Sequence, residues 1–172
     1  RAFEKKLDDL FEASTTDEET PVRISGNIGQ YIQGNEPSHH VPYLYQFAGA
    51  RQKTEERVRQ ILDELYTIQP DGLCGNEDCG QMSAWYIFSA MGFYPVNPSD
   101  GRYIFGSPSV EEATVRLSNG NSFKIIAKNQ SDDNVYVQSV RLNGQLLERN
   151  YILHEELIAG GILEFEMTAQ PK

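Results

Sequence analysis

The apolar spacing of the chain changes period near residue 100, and that change constrains the fold more than any other feature. Before it, apolar residues recur at helical spacing. Phe3, Leu7, Leu10 and Phe11 fall at i, i+4, i+7 and i+8, which predicts a helix of about ten residues, broken by the polar stretch Thr15 to Thr20. A helix from about Val41 to Ala48 is expected next, with Pro42 in its first turn and Gly49 ending it. Val58, Ile61, Leu62, Leu65 and Tyr66 predict another, with Thr54 as its N-cap and Pro70 beyond its end. The segment Met82 to Met91, stopped by Gly92, is apolar most of the way round, and such a helix belongs inside a larger assembly. Trp85, Tyr86 and Phe88 within it read mainly as core, with a sugar-stacking platform as the alternative.

After Pro95 and Pro98 the period is two. Ala113 to Leu117 and Phe123 to Ala127 flank Ser118-Asn119-Gly120-Asn121, and the stretch from Val135 to Leu142 runs into Asn143-Gly144. Asn-Gly tolerates the positive φ of a tight hairpin turn, so both sites predict antiparallel pairs. Ile162 to Met167 alternates and reads as a last strand. Helices followed by a small antiparallel sheet make an α+β chain, divided into residues 1–100 and 101–172.

The charge pattern narrows the partners. The net charge is -10, spread along the chain with no basic stripe, which argues against nucleic acid. No apolar run approaches the ~20 residues of a membrane span. Two cysteines make no disulfide scaffold; Cys74 and Cys79 are either one small loop disulfide or two unrelated thiols. The chain begins at Arg1 in what looks like the middle of a helix, so it is expected to be a piece of something longer.

Two loops gather polar groups that folding does not require. Gly34-Asn35-Glu36-Pro37-Ser38-His39-His40-Val41-Pro42-Tyr43 holds an amide, a carboxylate, a hydroxyl, two imidazoles and a phenol. That set suits a hydroxyl-rich ligand such as a sugar, or a cation that prefers oxygen. The alternative is a capped helix entry, with Ser38 as the cap. The second loop places Asn76-Glu77-Asp78 just before the apolar helix. Asp78 there is either a general base kept ionised by the helix dipole or simply the helix N-cap. His154, alone in the strand region, reads as structural.

These motifs, with Pro70-Asp71-Gly72-Leu73, Gly75-Asn76-Glu77-Asp78-Cys79-Gly80-Gln81-Met82-Ser83-Ala84-Trp85-Tyr86 and Gly92-Phe93-Tyr94-Pro95, resemble the C-terminal part of glycoside hydrolase family 92, the calcium-dependent exo-acting α-mannosidases. The resemblance covers essentially the whole chain. It implies the last helices of an (α/α)6 barrel followed by closing strands, and an inverting reaction on mannose-containing glycans, α-1,2-linked. It further implies Asp78 as general base with Glu77 beside it, Asn35 and Glu36 at or near Ca²⁺, and His39, His40, Asn76 and Tyr43 at the sugar. The general acid would lie upstream, so this chain alone is expected to be inactive, to need the missing N-terminal part of its polypeptide, and to self-associate without it. Export to the periplasm or beyond the cell is implied as well. A stand-alone carbohydrate-binding module and a helical scaffold without a ligand are the rival expectations.

Overall fold

The computed structural model describes residues 1–14 and 25–171. The expected break at Thr15 to Thr20 lies outside the described residues. Helix α1 (Ala2–Glu12) turns Leu7 and Phe11 inward, as its spacing predicts. A short hairpin follows, β1 (Asn27–Ile28) and β2 (Tyr31–Ile32). The next segment starts as a 3₁₀ turn over Val41–Leu44 with Pro42 at its head and becomes helix α2 (Tyr45–Ala48), which ends at Gly49 in the left-handed conformation.

Helix α3 (Arg51–Leu65) begins a turn earlier than expected. Its N-cap is Ala50, and Thr54 lies inside the helix, buried and with its hydroxyl unpartnered. The Arg51–Glu55 pair at i, i+4 (2.7 Å) supports that extra turn, and sequence periodicity does not register it because these residues are charged. Helix α4 (Gln81–Ala90) is the apolar segment, and it leads through Gly92 at φ +92° into β3 (Phe93–Tyr94).

The remaining strands form two sheets. One runs β3–β4–β9, with β4 at Arg102–Phe105 and β9 at Tyr151–Leu153. The other runs β5–β6–β10–β7–β8, using Glu112–Arg116, Ser122–Lys128, Gly161–Thr168, Tyr136–Leu142 and Gln145–Leu147 respectively. Both Asn-Gly hairpins form, and Asn143 and Gly144 take positive φ. The sheet is nevertheless mixed, not antiparallel: β10 inserts between β6 and β7 and runs parallel to β6, with Leu163 opposite Ile125. A period of two fixes which face a residue occupies and says nothing about strand direction. Helix α5 (His154–Ala159) lies on the path that returns the chain to that position.

One core packs the helices around Trp85, Tyr43, Tyr45 and Ile61. A second fills the sheet with Phe93, Phe123, Phe165 and Leu163. Phe88 packs against both. The helical layer also meets the sheet through a buried acid: Glu55, 2% exposed, pairs with Arg51, whose guanidinium also donates to the Val137 carbonyl of β7.

Burial pushes the Glu55 carboxyl up to about 7, outweighing the Arg51 charge and the hydrogen bond from the Val137 backbone. The folded chain therefore keeps this proton to higher pH than the unfolded chain, whose glutamate titrates at its ordinary value of 4.5. The stability it contributes is full below pH 4.5 and is lost as pH rises through about 7, a change of at most about 3 kcal/mol. Glu55→Gln is accordingly expected to raise the urea midpoint near pH 8 and to change it little near pH 5. Equal effects at both pH values would show that Glu55 titrates normally.

Candidate active site where two loops meet

The two polar loops converge beside the N-terminus of α4. They approach backbone to backbone. Gly75 sits at φ +77°, and a Cβ there would lie 3.1 Å from the Gly34 Cα; a Cβ on Gly34 would lie 2.6 Å from the Ser25 carbonyl oxygen and 3.2 Å from that of Cys74. A larger residue at either position would force the loops apart.

The turn into α4 runs through three successive positive φ angles, Asp78 (45°), Cys79 (58°) and Gly80 (92°). A left-handed conformation costs an L-residue about 1–2 kcal/mol, and such strain collects where a side chain must be aimed. The turn is closed by the Gln81 N–H to the Asp78 carbonyl (3.2 Å) and the Met82 N–H to the Glu77 carbonyl (3.3 Å). Asp78 does not cap the helix. The N-cap residue is Gly80, and the capping is done by Glu77, which accepts from the Ser83 backbone N–H (2.9 Å) and the Ser83 hydroxyl (2.7 Å). Those two bonds hold the Glu77 carboxyl below its ordinary range. Asp78 is left exposed at the mouth of the loops.

Glu36 faces Asp78 across the gap. Glu36 opens a 3₁₀ turn, Glu36–Ser38, and its Oε1 is buried without a donor from any N–H or hydroxyl. The carboxyl group as a whole also meets that of Asp78. Their side-chain hydrogen bond holds Glu36 below the ordinary carboxylate range and holds Asp78 above it. Asn35 and Asn76 are exposed beside this pair, and His40 is half-buried. Ser38, the alternative cap, is not the N-cap of the turn that follows; that residue is His40.

His39 and Tyr43 are both buried in this chain. The resemblance puts both at the sugar, but His39 is 1% and Tyr43 0% exposed. The Tyr43 hydroxyl bonds Ser89 (2.8 Å) under the loop. His39 is held on four sides. Its N–H donates to the Glu36 carbonyl (3.0 Å), and its carbonyl accepts from the Trp85 indole N–H (2.9 Å). Its Nε2 lies 2.9 Å from the Gln33 carbonyl and its Nδ1 3.1 Å from the Gln81 amide nitrogen. A carbonyl only accepts, so Nε2 carries the proton and Nδ1 accepts from Gln81. Burial lowers the His39 pKa and keeps the ring neutral. The loop folds these two large side chains inward and leaves Asn35 exposed.

A buried polar network that sequence inspection missed lies underneath. Gln33, 0% exposed, accepts from the Tyr31 hydroxyl and donates to the Tyr66 hydroxyl (2.7 Å), which in turn donates to the Met82 carbonyl (3.3 Å). Its signal was available: a glutamine at the inward position of Tyr31-Ile32-Gln33 needs partners. Cys74 and Cys79 are both free thiols. Among the described residues no three His, Cys, Asp or Glu side chains converge as a metal site, and no helix is long and apolar enough to cross a membrane.

This chain resembles known proteins along nearly its full length. Residues 1–169 match the glycosyl hydrolase family 92 catalytic domain. A family GH92 α-mannosidase of Bacteroides thetaiotaomicron, solved in complex with mannoimidazole, is 44% identical, superposes with a TM-score of 0.95, and shares 99% of this chain and 22% of its own. A GH92 inverting mannosidase of the same organism is 40% identical with a TM-score of 0.82, over 98% of this chain and 24% of its own. An uncharacterized secreted glycosidase of Arthroderma benhamiae is 31% identical over 137 residues, 78% of this chain and 18% of that protein. The chain thus spans about a fifth of the length of the relatives it matches.

Proposed function

The chain belongs to glycosyl hydrolase family 92, and on that premise we propose that it is the C-terminal part of an inverting, calcium-dependent exo-α-mannosidase acting on α-1,2-linked mannose. The observation that carries this is the Glu36–Asp78 pair at the mouth of two facing loops, in a chain that superposes on an α-mannosidase solved with mannoimidazole. The mixed helical and sheet architecture fits the last helices of an (α/α)6 barrel with closing strands.

In an inverting hydrolysis the water oxygen bonds the anomeric carbon while the glycosidic C–O bond breaks on the opposite face. Asp78 takes the proton from that water. An acid outside this chain gives a proton to the departing sugar oxygen. Glu77 supports the base by holding the turn, and His40 and Asn76 contact the sugar, with His39 and Tyr43 bracing the loop beneath them. The raised proton affinity that Glu36 confers on Asp78 suits a base, since a stronger base takes the proton more readily once it is itself ionised.

Asn35 and Glu36 offer hard oxygens, and the buried, donorless Glu36 Oε1 fits a cation ligand. Ca²⁺ takes roughly six to eight oxygens, so these two residues supply a minority of them. Bound there, the ion would hold sugar hydroxyls and favour ionised carboxylates nearby. The parent is proposed to be periplasmic or secreted, like the secreted glycosidase it resembles. The chain alone, lacking the acid, is proposed to be inactive and to self-associate, since Phe47, Ile68 and Ile87 expose more than half their surface.

The test uses the full-length protein. It is expected to release mannose from α-1,2-mannobiose as the β-anomer by proton NMR, and to lose that activity in EDTA and regain it with Ca²⁺. First formation of the α-anomer, or activity indifferent to chelation, would overturn the corresponding part of the proposal.

A further inference from the structure

The two turns that bear Glu36 and Asp78 are joined by one continuous chain of hydrogen bonds, and a single side chain closes it. From the Asp78 carbonyl the chain passes to the Gln81 N–H (3.2 Å), and from the Gln81 side-chain amide to the His39 Nδ1 (3.1 Å). It ends with the His39 N–H on the Glu36 carbonyl (3.0 Å). The same Gln81 amide nitrogen lies 3.2 Å from the Tyr94 hydroxyl of β3. An amide NH₂ has two hydrogens, and both acceptors are in place. No carboxylate, hydroxyl or apolar side chain of that length could serve His39 and Tyr94 together as a donor.

We propose that Gln81 is a positioning residue that sets the approach of the Glu36 and Asp78 turns by donating to His39. Its consequence for turnover rests on the mannosidase reading above. Three features single out Gln81. It is the first residue of α4, so its main chain is fixed by the helix while its side chain reaches across to the other loop. His39 is otherwise pinned by Gln33, Trp85 and Glu36, so the Gln81 contact is the one that relates the His39 ring to the Asp78 turn. Asp78 and Cys79 hold a strained, left-handed backbone that needs an external tie to keep its aim.

Two variants test this in the full-length protein. Gln81→Met keeps length and removes both donors; Gln81→Glu keeps shape and turns the donor into an acceptor facing the Nδ1 lone pair. Each is expected to lower kcat by about 10²-fold, the effect of a displacement near 1 Å at a reacting group, with KM changed by less than about threefold. A second readout does not depend on activity. With ¹⁵N-labelled histidine, wild-type His39 is expected to be a single tautomer protonated at Nε2, which the Gln33 carbonyl maintains, and Gln81→Met is expected to keep that tautomer but shift the Nδ1 resonance as its donor is lost. A wild-type His39 protonated at Nδ1 would overturn the proposed contact even in an active mannosidase. Turnover unchanged in both variants, or kcat and thermal midpoint falling together as a loss of folded protein, would overturn the positioning role. A full-length protein with no mannosidase activity but the expected tautomers would overturn the function and leave the contact standing.

Discussion

Asp78→Asn in the full-length protein is expected to lower kcat by about 10²–10⁴-fold, the usual worth of a general base. The substitution isolates the chemistry well. Asparagine has the same shape, tolerates φ +45° as readily as aspartate does, and replaces a side chain that is exposed and caps nothing. The fold should therefore survive with a change in urea midpoint too small to explain the loss. What disappears is the ability to take a proton from water. Glu77→Gln makes the contrast. Its carboxylate is bound to the first turn of α4 through Ser83, so it is expected to lower the urea midpoint modestly and to affect turnover less than Asp78→Asn does. Steady-state kinetics and urea titrations of both variants decide between them. Wild-type turnover in Asp78→Asn, or an equal loss in Glu77→Gln, would mean that the base is another group.

The sequence carried the elements better than their connections. Leu7 and Phe11 pointed inward on α1 as their spacing required, and Asn143-Gly144 made the turn its chemistry favours. What escaped was long-range. Nothing local to Ile162–Met167 says that this strand enters beside β6 and runs parallel to it, because strand direction is decided by the path of the chain through α5. The same limit applied at the site. Glycines, amides and carboxylates in two loops announced a polar function, and the structure brings Glu36 to Asp78. Which of the loop's polar residues face outward was not legible. His39 and Tyr43 look like ligand residues by type, yet each is worth more inside, where a backbone carbonyl or a serine satisfies its polar atoms and its ring fills the core. Gln81 stood in a motif without a visible role because its partners, His39 and Tyr94, are 42 and 13 residues away.

Trp85→Ala is expected to be the most destabilising single substitution among the site's supports. The ring is 0% exposed and lies nearly parallel to Tyr66, with centroids 5.9 Å apart and planes 8° apart. It also tilts against His39 at 6.0 Å and Tyr94 at 6.4 Å. Truncating a buried aromatic to alanine costs about 3–5 kcal/mol, and the orphaned His39 carbonyl adds about 1–3 kcal/mol. Together these are a large share of the roughly 5–15 kcal/mol by which domains are stable. The damage should reach the chemistry, because the indole N–H is one of the ties that hold the Glu36 loop against α4. Trp85→Phe separates the two effects. It removes the donor and keeps most of the buried aromatic surface, so it should lose about 1–3 kcal/mol for the orphaned carbonyl plus less than the full truncation cost, while retaining a cooperative transition. Tyr86→Ala, one residue along the same helix but 39% exposed in this chain, should cost far less here. Urea midpoints that fail to rank Trp85→Ala well below Trp85→Phe, and both below Tyr86→Ala, would mean that the tryptophan fills space without pinning the loop.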